Sequence, residues 1–224
     1  MPLTTVLPTS DTASACPLCH GTKIRLFYTS AEAKPFYTCP DCALIFLPPR
    51  FHLSAEEEKE RYDLHQNNPE DKKYVRFLNR LVTPLLPFLK EGMRGLDFGS
   101  GPGPTVSVLL EDRGFSVENY DPFYAPEKAL LEKKYDFITA TEVVEHFAEP
   151  HKEFHRLYGL LKGGGLLAVM TQVFRPEMDF GQWWYWREPT HIVFYQPATF
   201  RWIAQSLGMD LCLAEENVYI FRKA

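Results

Sequence analysis

From residue 94 onward the chain alternates short apolar runs with amphipathic stretches and glycine or polar breaks. Period-two or continuous apolar runs predict strands at 94–98, 116–120, 135–140, 166–171, 211–215 and 218–222. Helical spacing predicts helices near 104–113, 150–161 and 197–207. The last of these has Pro197 at its start, Phe200, Ile203, Ala204 and Leu207 on one face, and Gly208 as its stop. Strands and helices in alternation imply an α/β fold with a mostly parallel sheet covered on both faces. The final two strands flank a tight Glu216-Asn217 turn and read as a terminal hairpin.

Upstream, Tyr74, Phe77, Leu78, Leu81, Val82, Leu85 and Leu86 recur at helical spacing, and Pro84 and Pro87 should bend or end that helix. A charged helix should start near Ser54, a plausible N-cap. Between the two helices, "RYDLHQNNP" is polar, with Tyr62, His65, Asn67 and Asn68 able to hydrogen-bond; a solvated loop is preferred over a ligand-facing lid. Closer to the start, "KIRLFYT" and "KPFYT" read as short strands. These patterns divide the chain into residues 1–52, a small ribbon; 53–92, a helical connector or lid; and 93–224, the α/β domain.

The 224 residues, 45% of them hydrophobic, suffice for one ordinary domain and a small appendage. No window approaches the roughly 18 uninterrupted apolar residues of a membrane span. The first 15 residues lack the basic and apolar regions of a secretory signal. A formal charge of -5 and the lack of a Lys/Arg stripe argue against a nucleic-acid partner. Reduced, closely paired cysteines suit a cytoplasmic protein.

Cys16-Pro-Leu-Cys19 and Cys39-Pro-Asp-Cys42 match the spacing of two knuckles that give four thiolates to one structural zinc ion. A segment of this size has little core of its own, so a metal would supply folding energy. The alternatives are a redox pair or unpaired buried thiols. Neither pair follows a strand in a βαβ unit, which weakens the redox reading.

"GLDFGSGPGP", residues 95–104, places Gly99, Gly101 and Gly103 at the carboxyl end of the first α/β strand. Open α/β sheets bind ligands there, with backbone N–H groups facing the crevice. The spacing is G-x-G-x-G with Pro104 where a dinucleotide fingerprint needs glycine, so a nucleotide-dependent oxidoreductase is disfavoured. Asp97 precedes the loop, and Asp121 ends the second strand at the distance expected for an acid accepting ribose hydroxyls. The two acids suit a ligand with a ribose and a positively charged amino-acid tail.

With "VENYDPF", "YDFITATEVVEHF", "LYGLLKGGGLLAVMT" and "THIVFYQPATFRWIAQSLG", this loop resembles the class I S-adenosylmethionine-dependent methyltransferases over about residues 93–224. The front knuckles resemble a subgroup with an N-terminal zinc ribbon, which includes sugar methyltransferases. The resemblance implies a Rossmann-like methyltransferase fold that binds S-adenosylmethionine. By it, Gly99, Ser100, Gly101 and Gly103 would cradle the methionine part and Asp97 would help place it. Asp121 would hold the ribose, and Thr141 and Glu142 would lie beside the sulfonium. Only residues 122–135 separate Asp121 from Asp136, so the family's third strand should be missing or shortened and adenine held differently, by stacking on Phe123 or Tyr124.

Methyl transfer from a sulfonium needs alignment more than functional groups, but a hydroxyl or acidic carbon also needs a base. His191, after the aromatic insertion "FGQWWYWREPTH", is the candidate base; its alternative is a hydrogen-bonded structural residue beside a packed aromatic cap. Trp183, Trp184, Tyr185 and Trp186 could wall an apolar acceptor cavity. If a helix starts at "TEVVEH", Glu142, Glu145 and His146 share one face and, with His191, could hold Mg2+ or a similar cation. That set is similar to the metal site of plant small-RNA 2′-O-methyltransferases and to a motif of ubiquinone-pathway O-methyltransferases. The simpler reading, in which Glu145-His146 anchors a helix start, is preferred. Thr141-Glu142-Val143-Val144 replaces the N/D-P-P-Y/F motif of amino-methylating enzymes, which points to a small hydroxylated or enolisable acceptor, a sugar or a quinol-like aromatic. The competing reading is a degenerate methyltransferase fold whose zinc ribbon docks a protein or nucleic acid.

Overall fold

The computed structural model describes residues 14–64 and 67–224; His65 lies outside the described residues. The two cysteine pairs are joined by the antiparallel strands β1 (Arg25–Thr29) and β2 (Pro35–Thr38), and β3 (Ile45–Phe46) follows the second pair and pairs with β2. Two helices follow. α1 (Ala55–Tyr62) starts at Ser54, whose side chain accepts from the Glu57 N–H while the Glu57 carboxylate accepts from the Ser54 N–H. α2 (Lys72–Leu85) runs one residue past Pro84 and tightens into a 3-10 turn at Leu86–Phe88 that contains Pro87, so Pro84 does not stop it.

The α/β part comprises β4 (Arg94–Phe98), α3 (Thr105–Glu111), β5 (Ser116–Tyr120), β6 (Tyr135–Thr141), α4 (Pro150–Leu160) and β7 (Leu161–Met170). A two-residue strand, β8 (Val193–Phe194), precedes α5 (Pro197–Leu207), β9 (Met209–Glu215) and β10 (Val218–Lys223). The main sheet has the order β5-β4-β6-β7-β10-β9. Its first four strands are parallel, and β10 and β9 close it as an antiparallel hairpin.

The strand missing from the sequence is missing from the sheet: β5 is the edge. The segment between Asp121 and Tyr135 holds an Asp121–Ala125 bridge and a 3-10 turn at Lys128–Glu132. β7 begins five residues before the apolar run predicts, at Leu161. The register shift opposite Tyr135 and Phe137 absorbs the glycines, with Gly164 at φ 73°.

Alternation along β7 assigns its two faces. Leu166, Ala168 and Met170 pack with Leu78, Leu81, Val82 and Leu85 of α2 and with α3. Leu167 and Val169 pack with Phe154 and Leu157 of α4 and Phe200 and Ile203 of α5. The latter core continues into Cys16, Leu18, Cys39 and Leu44, so the ribbon is seated on the α4–α5 face. β8 pairs with β3 and makes the ribbon's sheet four-stranded, in the order β1-β2-β3-β8. Among the described residues no helix is long and apolar enough to cross a membrane.

Candidate functional site

A cavity of about 810 Å³ opens over the carboxyl ends of β4, β5 and β6. Its size is that of a small-molecule site. On one wall the chain turns sharply after Phe98: Gly99 sits at φ 79° and Gly101 at φ 65°, conformations that a side chain rarely adopts. A Cβ at Gly99 would lie 2.5 Å from Val143 Cγ2. The Gly99 N–H donates to Tyr120 O at 2.7 Å, tying the loop to β5.

Asp121 accepts from the Gly101 N–H at 2.9 Å through Oδ2 and from the Phe123 N–H at 2.8 Å through Oδ1. It thus joins the glycine loop to the turn that carries Phe123 and Tyr124, both lining the cavity. Asp97 is 3% exposed, accepts from Thr139 Oγ1 at 2.7 Å, and is raised to about 7 by burial. Ser100 Oγ and Thr141 Oγ1 line the same space with no hydrogen-bond partner among the described residues.

Gly103 is placed otherwise. It does not line the cavity; a Cβ there would lie 1.9 Å from Asn67 O. Its small size serves the close approach of the connector, not a ligand. α3 is also shorter than predicted, with seven residues from Thr105.

The connector covers the mouth, against the solvated-loop preference. Glu58, Tyr62, Leu64, Asn67, Tyr74 and Phe77 all line the cavity. Arg61 donates twice to Glu188, at 2.8 and 2.7 Å, and Tyr124 Oη donates to Asp63 at 2.6 Å. The Tyr62 ring meets His146 edge-on at 5.4 Å.

The opposite wall carries the ionisable groups. No helix starts at "TEVVEH": Glu142 is in the left-handed region at φ 51°, and Val144–His146 forms a single 3-10 turn. The shared helix face predicted for Glu142, Glu145 and His146 is therefore absent. Tyr185 brings the carboxylates together instead, its Oη 2.5 Å from Glu145 Oε1 and 3.2 Å from Glu142 Oε2. Glu145 is fully buried and also accepts from Thr171 Oγ1 at 2.9 Å. Burial, then the Glu145 charge, raises the Glu142 carboxyl well above its ordinary value.

Both imidazoles are oriented by backbone carbonyls: His146 Nδ1 lies 2.8 Å from Thr190 O and His191 Nδ1 2.8 Å from Tyr185 O. A carbonyl only accepts, so each Nδ1 carries a proton and each Nε2 points away from that anchor. Burial lowers His191 to about 4, which keeps it neutral near pH 7. One ligand atom each of Glu145, His146 and His191 lies within 4.8 Å of the others; Glu142 is outside that group.

Of the four aromatics, Trp184 and Tyr185 line the cavity. Trp183 and Trp186 instead pack with Phe36, Phe180 and Phe194 as a capping core. Thr171 and Glu188 were not singled out by sequence pattern, and Tyr185 was read only as a cavity wall, since no spacing marks a phenol that links two carboxylates some 40 residues away.

The four cysteines converge, with Cys16 Sγ 3.5 Å from Cys42 Sγ, Cys19 Sγ 3.4 Å from Cys39 Sγ, and all four within 4.8 Å. Sulfurs around a tetrahedral ion with bonds of about 2.3 Å lie about 3.8 Å apart, so the set fits zinc. The hydrogen bond with Cys42 lowers Cys16 to about 6 and raises its partner.

Residues 69–213 match the family described as "Methyltransferase domain". A ubiquinone biosynthesis O-methyltransferase of Colwellia psychrerythraea is 29% identical over 92 residues, 41% of this chain and 37% of that protein, so the match spans well under half of the relative. In fold, the chain is similar to the Burkholderia thailandensis 1,6-didemethyltoxoflavin-N1-methyltransferase, solved with bound 1,6-didemethyltoxoflavin and S-adenosylhomocysteine. The TM-score is 0.52 at 14% identity, covering 89% of this chain and 99% of that one. It is also similar to an S-adenosylmethionine-dependent methyltransferase of Archaeoglobus fulgidus, with a TM-score of 0.50 at 17% identity over 66% of this chain and 94% of that one. The family match covers most of the chain and includes the glycine loop, Asp121 and the Glu142–His146 turn; the chain belongs to the class I S-adenosylmethionine-dependent methyltransferases.

Proposed function

We propose that the chain transfers a methyl group from S-adenosylmethionine to a hydroxyl or enolisable carbon of a small acceptor seated against Trp184, Tyr185, Glu188 and His191. Bound S-adenosylmethionine supplies an electrophilic methyl group on its sulfonium. The cavity suits it: a sharply turned loop with Gly99 and Gly101 in the left-handed region, two buried acids, and the unpartnered hydroxyls of Ser100 and Thr141. Asp121 would take the ribose, Asp97 the amino-acid ammonium, and Thr141 and Glu142 would flank the sulfonium. Phe123 and Tyr124 line the cavity, and in the absence of a third strand adenine would stack on them.

The observation that carries the acceptor half is the neutral His191 ring, fixed by Tyr185 O with its Nε2 lone pair available. In this reading His191 Nε2 receives the acceptor's proton as the methyl group arrives. The Glu188 carboxylate on this wall disfavours an anionic acceptor. A second reading has its own observation: two oriented Nε2 atoms and the Glu145 carboxylate form a donor set suited to a divalent cation. There Glu145, His146 and His191 would hold the ion, which would lower the pKa of an acceptor hydroxyl. In both readings the cysteine ribbon holds a structural zinc ion.

Calorimetric titration with S-adenosylhomocysteine, with NADH as control, tests the cofactor half. Binding of the first alone is expected, and an acceptor screen with and without Mg2+ or Mn2+ then separates the two acceptor readings. No binding would favour the degenerate, partner-docking fold.

A further inference from the structure

Among the described residues no ribbon residue lines the cavity, yet the ribbon is hydrogen-bonded to its acceptor wall. Cys39 O accepts from the Ala43 N–H at 2.8 Å, and the Cys39 N–H donates to Leu44 O at 2.9 Å. The second knuckle therefore passes its geometry into β3 within a few residues. β3 pairs with β8, Ile45 opposite Phe194 and Phe46 opposite Val193, and β8 starts two residues after His191.

A ladder of backbone bonds continues across the site. The Leu47 N–H donates to Ile192 O at 2.8 Å, and the Ile192 N–H donates to Glu145 O at 3.0 Å. Gln196 Nε2 adds a link to Ala43 O at 2.7 Å. His191 and Glu145 are thus both adjacent to a strand that the ribbon holds. The glycine loop has a separate anchor, Tyr120 O, on the far side of the sheet.

We infer that the ribbon is a positioning element for the acceptor wall. Its four-cysteine knuckles, acting through β3–β8 and the Leu47–Ile192–Glu145 ladder, set the places of His191 and Glu145 and leave the cofactor half independent. The inference rests on the reading of His191 and Glu145 as acceptor-side groups. The physical reason is that two-residue strands have little hold of their own. β3 and β8 are ordered by what lies at their ends, and for β3 that is the Cys39–Cys42 knuckle. A short ribbon of this kind depends on its metal for folding, so loss of the metal should be felt first along this ladder.

The test uses the full chain, zinc-loaded, against Cys42→Ser, with amide hydrogen exchange and S-adenosylhomocysteine calorimetry as readouts. Exchange at residues 192–194 should rise at least about tenfold, while exchange at 95–99 and ligand affinity stay within about threefold. The His191 imidazole 15N signals should shift or broaden in the same sample. Gln196→Ala, which keeps all four cysteines, should move them in the same direction by less. His151→Ala removes the imidazole whose Nδ1 lies 3.0 Å from Leu18 O at the other knuckle, and should leave 192–194 unchanged. Unchanged exchange at 192–194 in Cys42→Ser overturns the inference. So does equal loosening of 95–99, or loss of ligand binding, because the ribbon would then support the whole domain. Failure of untreated protein to bind S-adenosylhomocysteine is a separate result and counts against the cofactor reading instead.

Discussion

The two walls of the cavity are built by different means. The wall proposed for the cofactor is local: one loop of five residues, one acid that precedes it, and one acid at the end of the next strand, held mainly by neighbouring backbone. The acceptor wall is assembled from afar: Glu145 reaches Tyr185 across 40 residues, and Arg61 reaches Glu188 across 127. A local wall keeps its shape through chain geometry. A distant one keeps it only while the surrounding fold, ribbon and connector included, stays in register.

The largest effect should come from breaking the local wall. Asp121→Ala removes the proposed ribose acceptor; two hydrogen bonds to a charged group at about 1.5–3 kcal/mol each correspond to a loss of S-adenosylhomocysteine affinity on the order of 100-fold or more. Calorimetry reads this directly, and affinity within threefold of wild type would sink the ribose assignment. Some stability should go with it, because Asp121 also accepts from the Gly101 and Phe123 N–H groups.

On the distant wall, His191 should show itself through stability, not cofactor affinity. Its folded value of about 4 lies below the ordinary 6.5, so protonation favours the unfolded chain. The stabilisation is present above 6.5 and is lost as pH falls toward 4, amounting to about 2 kcal/mol by pH 5. Denaturation against pH should therefore be steeper for wild type than for His191→Asn across that window. Identical slopes would mean that the ring is not buried neutral.

Asp97 gives a smaller, opposite test on the cofactor wall. Burial raises it to about 7, and it must ionise to pair with an ammonium group. Ligand affinity should then fall up to about tenfold for each pH unit below 7, and Asp97→Asn should bind weakly with a flat profile. A wild-type profile already flat from pH 6 to 8 would remove Asp97 from the tail site. The least effect is expected for Arg61→Ala. Its ion pair with Glu188 is partly exposed and is worth about 0.5–1 kcal/mol at most. Faster limited proteolysis within α1, with S-adenosylhomocysteine affinity unchanged, is the signature to look for.

Most of the fold was legible because each β–α repeat carries its own periodicity. Strand and helix positions after residue 94 fall within a few residues of the pattern, and the missing strand is a matter of counting the residues between Asp121 and Asp136. The glycine loop and the cysteine knuckles were legible for the same reason, since glycine spacing and C-x2-C are local constraints. Gly103 was the exception: what its missing side chain leaves room for is Asn67, from a loop that pattern alone suggested was solvated.

The sequence by itself thus determined most of the elements, their order, the pairing of the cysteines into two knuckles, and the two acids beside the glycine loop. Only the tertiary structure decided that Glu142 leaves the helix-face arrangement at φ 51°, and that Tyr185 draws it to Glu145. It alone decided that Trp183 and Trp186 are core while Trp184 and Tyr185 face the cavity. It also decided that the ribbon's β3 pairs with the strand beside His191. Such facts depend on which residues meet across gaps of tens of positions. Packing and strand pairing select those meetings among many that a linear pattern leaves equally open.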